Sequence, residues 1–162
     1  MKKFAFIFVV LFGFALSLTA QEREVKLKIV QTSDVHGNYY PYNFITQKDW
    51  AGSLARVHAF VQKKREIYKD NLILLDNGDI LQGQPTAYYY NYIDTVSPHL
   101  CAEMMNYMGY DAGNMGNHDV ETGRRVFDRW ISECNFPVLG ANIIDTATGE
   151  THLKPYKVME RD

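Results

Sequence analysis

The sequence predicts an α/β fold: a largely parallel sheet whose strands are joined by crossover helices. Three observations predict it. Short apolar runs of strand length alternate with longer stretches of helical periodicity. Each strand candidate ends in turn-forming residues. The first three of those turns also carry metal-binding side chains. Strand, helix, strand, helix, strand, helix, strand is the order that calls for parallel pairing with helices packed back on the sheet.

Taken in chain order, Val25, Leu27 and Ile29 alternate with lysines and predict a strand running into Gln31-Thr32-Ser33. A helix fits from about Gly52 to Lys69, with Leu54, Val57, Val61 and Tyr68 on one face. Leu72-Ile73-Leu74-Leu75 is a compact apolar run suited to a strand buried on both faces, and it ends in Asp76-Asn77-Gly78-Asp79. Ser97-Pro98 predicts the start of a second helix, with a cap followed by proline in the first turn. That helix presents Leu100, Cys101, Met104, Met105 and Met108 and stops at Gly109. Asp111 to Met115 is the third strand candidate. A third helix carries Val126, Phe127, Trp130 and Ile131, and Pro137 to Ala141 reads as a fourth strand.

Composition narrows the field of functions. The chain has 162 residues, a formal net charge of −2 and 46% hydrophobic residues, which gives no electrostatic case for a nucleic-acid polymer or a membrane surface as partner. The length suits one domain at most. Met1-Lys2-Lys3 followed by an apolar run from Phe4 to Leu18 has the layout of a secretory signal peptide, residues 1–20, with cleavage after Ala20. The run is shorter than the ~20 residues of a membrane span. The expectation is therefore an exported protein, periplasmic or extracellular, with no stable membrane insertion once the leader is removed. Cys101 and Cys134 lie in helix-like patterns and lack zinc-site spacing; export would permit a disulfide between them, and two buried free thiols are the favoured expectation.

The chemistry sits in three clusters: Asp34-Val35-His36-Gly37, Gly78-Asp79 and Gly116-Asn117-His118-Asp119. Each alone is common turn chemistry; the signal is their order and their placement after strands. Parallel strands bring their C-terminal ends to one edge of the sheet, so the clusters are expected to meet in one crevice. Carboxylates, imidazoles and an amide oxygen suit a pair of hard or borderline divalent ions. Asp34 and His36 are spaced to aim at one ion, Asp79 offers a bridging carboxylate, and Asn117 adds a ligand without adding negative charge. His118 adjoins Asn117 and points differently, which leaves it free to face the substrate. Such a pair of ions, ~3.5–4 Å apart, supports in-line attack of activated water on phosphorus. His118 would stabilise the developing charge, held by Glu121 or Asp119. His58 in the first helix reads as packed or solvated, and His99 and His152 lack a partner pattern. Tyr88, Tyr89, Tyr90 and Tyr92 could stack a base but read chiefly as packing residues, and Arg124 and Arg125 could reach a phosphate but read chiefly as a solvated helix face.

These motifs resemble the calcineurin-like metallophosphoesterases, and more narrowly the N-terminal part of the exported 5′-nucleotidase and 2′,3′-cyclic-nucleotide phosphodiesterase family. Gln31 to Gly37, Asn77-Gly78-Asp79 with Gln82-Gly83, and Gly116 to Asp119 carry the resemblance. It implies that Asp34 and His36 bind one ion, Asp79 bridges and Asn117 binds the second, with two divalent ions among Mn, Zn, Fe, Co and Mg. It implies that His118 is the catalytic histidine, and Glu121 stands where such nucleotidases place an aspartate. The family's later metal-binding histidines have no match after His118. The expectation is accordingly the first half of an α/β/β/α sandwich, with residues 21–162 a truncated N-terminal part, a missing C-terminal half and one sheet face left uncovered. The activity implied is hydrolysis of small nucleotide phosphoesters. The alternatives are a 2′,3′-cyclic-nucleotide phosphodiesterase or a non-catalytic truncated fragment.

Overall fold

The computed structural model describes residues 24–161. The signal peptide read at residues 1–20 lies outside them. Four strands run parallel in the order β1 (Lys28–Thr32), β4 (Leu72–Asp76), β5 (Gly113–Asn114) and β6 (Val138–Leu139). Residue pairs Lys28–Leu72 through Thr32–Asp76 set the first register, and a parallel bridge between Leu75 and Ala112 joins β4 to β5. The main helices are α1 (Leu54–Tyr68), α3 (Leu100–Met108) and α5 (Arg124–Glu133). They pack on the face that carries Val30, Leu72 and Leu74 and close a core around Leu54, Val61, Met105, Phe127 and Trp130.

The helices begin and end where backbone groups find partners. Ser53 caps α1 by accepting the Arg56 N–H, and Gly109 stops α3 in the left-handed conformation, φ 69°. α3 does not start at Ser97-Pro98; it begins at Leu100, with His99 as cap. The Glu133 carboxylate accepts the His99 N–H, and Arg129 donates to the carbonyls of Tyr90, Asp94 and Ser97. Tertiary contacts thus hold Ser97 and Pro98 in a loop against their local preference.

The first strand also departs from expectation. Pairing starts at Lys28, and Val30 faces the helices, so Leu27 and Ile29 stand 50% and 60% exposed on the other face. Ile73 is buried but Leu75 is only half-buried, so β4 is not fully covered on both faces. Five further short elements are absent from the sequence reading. A hairpin pairs β2 (Tyr42–Asn43) with β3 (Lys48–Asp49). A short α2 (Pro85–Tyr88) runs into a π-helical turn, Tyr89–Ile93, and α4 (Asn117–Glu121) begins in the third cluster. Cys101 is buried and Cys134 half-buried, both as free thiols.

Candidate metal centre

The loops after β1, β4 and β5 lie along one sheet edge and are stitched together by backbone hydrogen bonds. Asp34, His36 and Gly37 donate to the carbonyls of Gly78, Asp79 and Ile80 at 3.1, 2.9 and 3.1 Å. The His118 N–H donates to Asp79 Oδ1 at 2.9 Å. Gly78 and Gly116 approach each other closely. A Cβ on Gly78 would lie 2.8 Å from the Gly116 Cα, and one on Gly116 would lie 2.6 Å from the Asp79 nitrogen. Any larger residue at either place would push the second and third clusters apart.

Within this frame His36, Asp79 and His118 each place a ligand atom within 4.8 Å of the others. Asp34 Oδ1 stands 3.9 Å from His36 Nε2, which adds a second carboxylate to the group. The two imidazoles meet edge to face with centroids 5.3 Å apart. Asn117 opens α4 on the exposed surface, one residue before His118. Asp34, His36 and Asp79 all have positive φ, at 55°, 50° and 59°. Asp and His tolerate that region better than most residues, yet it still costs energy, and such strain gathers at functional sites.

Hydrogen bonds outside the cluster set the protons inside it. A carbonyl only accepts, so the 3.2 Å contact from His36 Nδ1 to the Gln82 carbonyl fixes the proton on Nδ1. The lone pair on Nε2 is then free for a cation. His118 Nδ1 donates to Glu121 Oε2 at 2.8 Å, so Glu121 is its partner. That hydrogen bond raises the His118 pKa above the ordinary value and lowers the Glu121 pKa. Asp119, the other carboxylate near His118 in sequence, is turned inward and fully buried. It accepts the N–H groups of Asp79, Ile80, Leu81 and Gly116 at 2.7 to 2.9 Å. Burial raises its pKa.

Sequence reasoning missed Gln82 as the residue that orients His36, and Asp119 as the clamp on the second loop. Glycine after Gln82 hinted at a close approach; nothing local signalled the clamp. His99 and His152 do have partners: Asn91 at 2.9 Å, 8 residues earlier, and Asp128 at 3.3 Å, 24 residues earlier. His58 stacks on Tyr107, and Arg124 pairs with Asp128 on an exposed helix face.

The set fits divalent cations by its chemistry. Two carboxylates and two imidazoles are hard and borderline donors, and thiols are absent from the group. Among the described residues no helix is long and apolar enough to cross a membrane.

Comparison with known proteins gives the family. The family model described as calcineurin-like phosphoesterase matches residues 27–157. The trifunctional nucleotide phosphoesterase protein YfkN of Bacillus subtilis (strain 168) is 37% identical over 145 residues, 85% of this chain and 10% of its own. The 2′,3′-cyclic-nucleotide 2′-phosphodiesterase/3′-nucleotidase of Yersinia enterocolitica is 30% identical, covering 88% of this chain and 22% of its own. The crystal structure of calcineurin-like phosphoesterase YfkN from Bacillus subtilis superposes with a TM-score of 0.77 at 35% identity, over 86% of this chain and 43% of that one. The chain spans less than a quarter of the length of these two curated relatives.

Proposed function

Because the chain belongs to the calcineurin-like phosphoesterase family, we propose that it forms the metal-holding N-terminal part of an exported hydrolase of nucleotide phosphoesters. The observation that carries this reading is the convergence of His36, Asp79 and His118 within 4.8 Å, built from three loops up to 82 residues apart in sequence. Relatives named as nucleotide phosphoesterases support the substrate class.

In this reading Asp34 and His36 would hold one divalent ion, Asn117 would hold a second, and Asp79 would serve both. Bound divalent ions supply Lewis acidity toward the phosphoryl oxygens and the attacking water. The Gln82 carbonyl keeps the His36 lone pair pointed inward. Glu121 holds a proton on His118 Nδ1 and favours the imidazolium, which donates from Nε2 to the developing charge or the leaving oxygen. Asp119 takes no proton from this dyad; it keeps the Asp79 loop in place.

Mn²⁺-dependent turnover of p-nitrophenyl phosphate tests the reading. Turnover by the wild-type chain, lost by at least a hundredfold in Asp79→Ala, is the expected result. Equal rates with and without Mn²⁺ or with EDTA would overturn it. A second reading, hydrolysis of the 2′,3′-cyclic diester, is supported by the Yersinia relative's name. Faster turnover of 2′,3′-cyclic AMP than of AMP would favour it.

A further inference from the structure

The core face of the sheet ends in polar groups where its period predicts apolar ones. Val30 and Leu74 face the helices, and alternation carries Thr32 and Asp76, two residues on, to the same face. They are register partners on the last rung of β1 and β4, and both are buried, 8% and 3% exposed. Thr32 Oγ1 donates to Asp76 Oδ2 at 2.6 Å. Its single proton is thereby used, so at its 2.8 Å contact with the Tyr110 hydroxyl it accepts. Tyr110 is itself buried, and its ring packs beside Phe136 with centroids 6.0 Å apart. A directed chain, Tyr110 to Thr32 to Asp76, thus runs beneath the edge that carries the metal centre.

The chain ends on the backbone of the second cluster. Asp76 Oδ1 accepts the Gly78 N–H at 2.9 Å, and the Gly78 carbonyl accepts the Asp34 N–H at 3.1 Å. The Thr32 carbonyl accepts the Asn77 N–H at 2.8 Å. The peptides on both sides of Gly78 are therefore fixed, one by Asp76 and the other by the Asp34 loop, and Asp79 follows directly. Asp119 grips the same loop from Asp79 to Leu81, so the two buried carboxylates divide it between them. Gly78 has φ 92°, and Asp34 and Asp79 share the left-handed region. Non-glycine backbone of that kind persists only where its surroundings over-determine it. Burying a hydroxyl and a carboxylate costs free energy that an apolar pair of the same shape would not. The helices already close an apolar core around Leu54, Val61 and Trp130. What the polar pair adds is a fixed acceptor for the Gly78 turn.

We propose that Thr32, Asp76 and Tyr110 are positioning residues for the metal centre, setting Asp34 and Asp79 through the Gly78 peptides rather than as ligands. The proposal rests on the metal-centre reading for what the loops hold, but not for whether this chain holds the loops. Thr32 is the link to test, because its hydroxyl serves the chain while its methyl serves the core. Valine there keeps the shape and removes the hydroxyl; serine keeps the hydroxyl and removes the methyl.

Calorimetry of Mn²⁺ binding and amide hydrogen exchange, both on the full chain, test this without turnover. Thr32→Val is expected to weaken Mn²⁺ binding about tenfold, the low end of what outer partners of metal ligands contribute. Thr32→Ser is expected to bind Mn²⁺ within about twofold of wild type, although the lost methyl lowers its urea midpoint too. In EDTA the Gly78 N–H is expected to exchange faster in Thr32→Val and Tyr110→Phe than in wild type or Thr32→Ser. Tyr110→Phe keeps the ring and gives the same readouts should Thr32→Val fold poorly. Mn²⁺ affinity unchanged in Thr32→Val, affinity that follows the urea midpoint in both Thr32 variants, or Gly78 exchange unchanged would each overturn the proposal. A wild-type chain that binds no Mn²⁺ would sink the metal reading alone, and Gly78 exchange would then decide the positioning role.

Discussion

Four backbone N–H groups converge on Asp119, and no neutral side chain could satisfy them all. Asp119→Asn replaces an acceptor oxygen by a donor and strands N–H groups of the Asp79 loop in the interior. The expected cost is about 2–4 kcal/mol of stability, read by urea denaturation, with weaker Mn²⁺ binding by calorimetry. Two other buried groups set the acid response. Burial lowers the His99 pKa from 6.5 to about 4 and raises the Asp76 pKa from 3.8 to about 6. Below pH 6.5 the unfolded chain protonates its histidine before the folded one does, so the His99 contribution falls as pH drops toward 4. Above pH 3.8 the unfolded chain ionises its aspartate first, so the Asp76 contribution falls as pH rises through 6. Each is worth about 3 kcal/mol and they oppose between pH 4 and 6. Relative to wild type in EDTA, His99→Gln stability is expected to fall, and Asp76→Asn stability to rise, as pH goes from 4 to 6. Denaturant midpoints parallel to wild type across that range would refute both assignments. At this scale the sequence named the ligand candidates but not their protonation. The tautomer of His36 depends on a carbonyl 46 residues away.

The loops between elements depend on close contact more than on composition. Gly116→Ala is expected to cost about 1–3 kcal/mol, because its Cβ would meet the Asp79 nitrogen at 2.6 Å and carboxyl carbon at 2.7 Å. It is also expected to lower Mn²⁺ affinity, since Asp79 must move; thermal denaturation and metal titration on one sample check both. Element order was legible because helical and strand periodicities are local. Leu54 and Val61 are buried and Val57 packs against the core, as their spacing predicts. The start of α3 was not legible, because Arg129 and Glu133 from α5 hold the preceding loop. The β2–β3 hairpin was not either: Asn43 Oδ1 organises its turn by accepting the Ile45 and Thr46 N–H groups, and each strand is only two residues long.

For the molecule as a whole, the sheet is covered by helices on one side only among the described residues. Leu27 and Ile29 lie on the other side, where apolar area in water favours association. The chain is expected to self-associate with rising concentration, and Leu27→Lys/Ile29→Lys to remain monomeric with an unchanged fold. Light scattering coupled to size exclusion would read this; a wild-type chain monomeric at high concentration would disprove it. The sequence by itself determined the strand–helix order and the three turns that carry Asp34, His36, Asp79, Asn117 and His118. Parallel pairing then obliges those turns to share one edge, because every crossover returns the chain to the same end of the sheet. Only the tertiary structure decided that Glu121 faces His118 while Asp119 turns inward, that Gln82 orients His36, and that Thr32 and Asp76 lie bonded beneath the Gly78 turn. Periodicity and turn chemistry act over a few residues, whereas a side chain's partner is chosen by packing between segments some 40 residues apart.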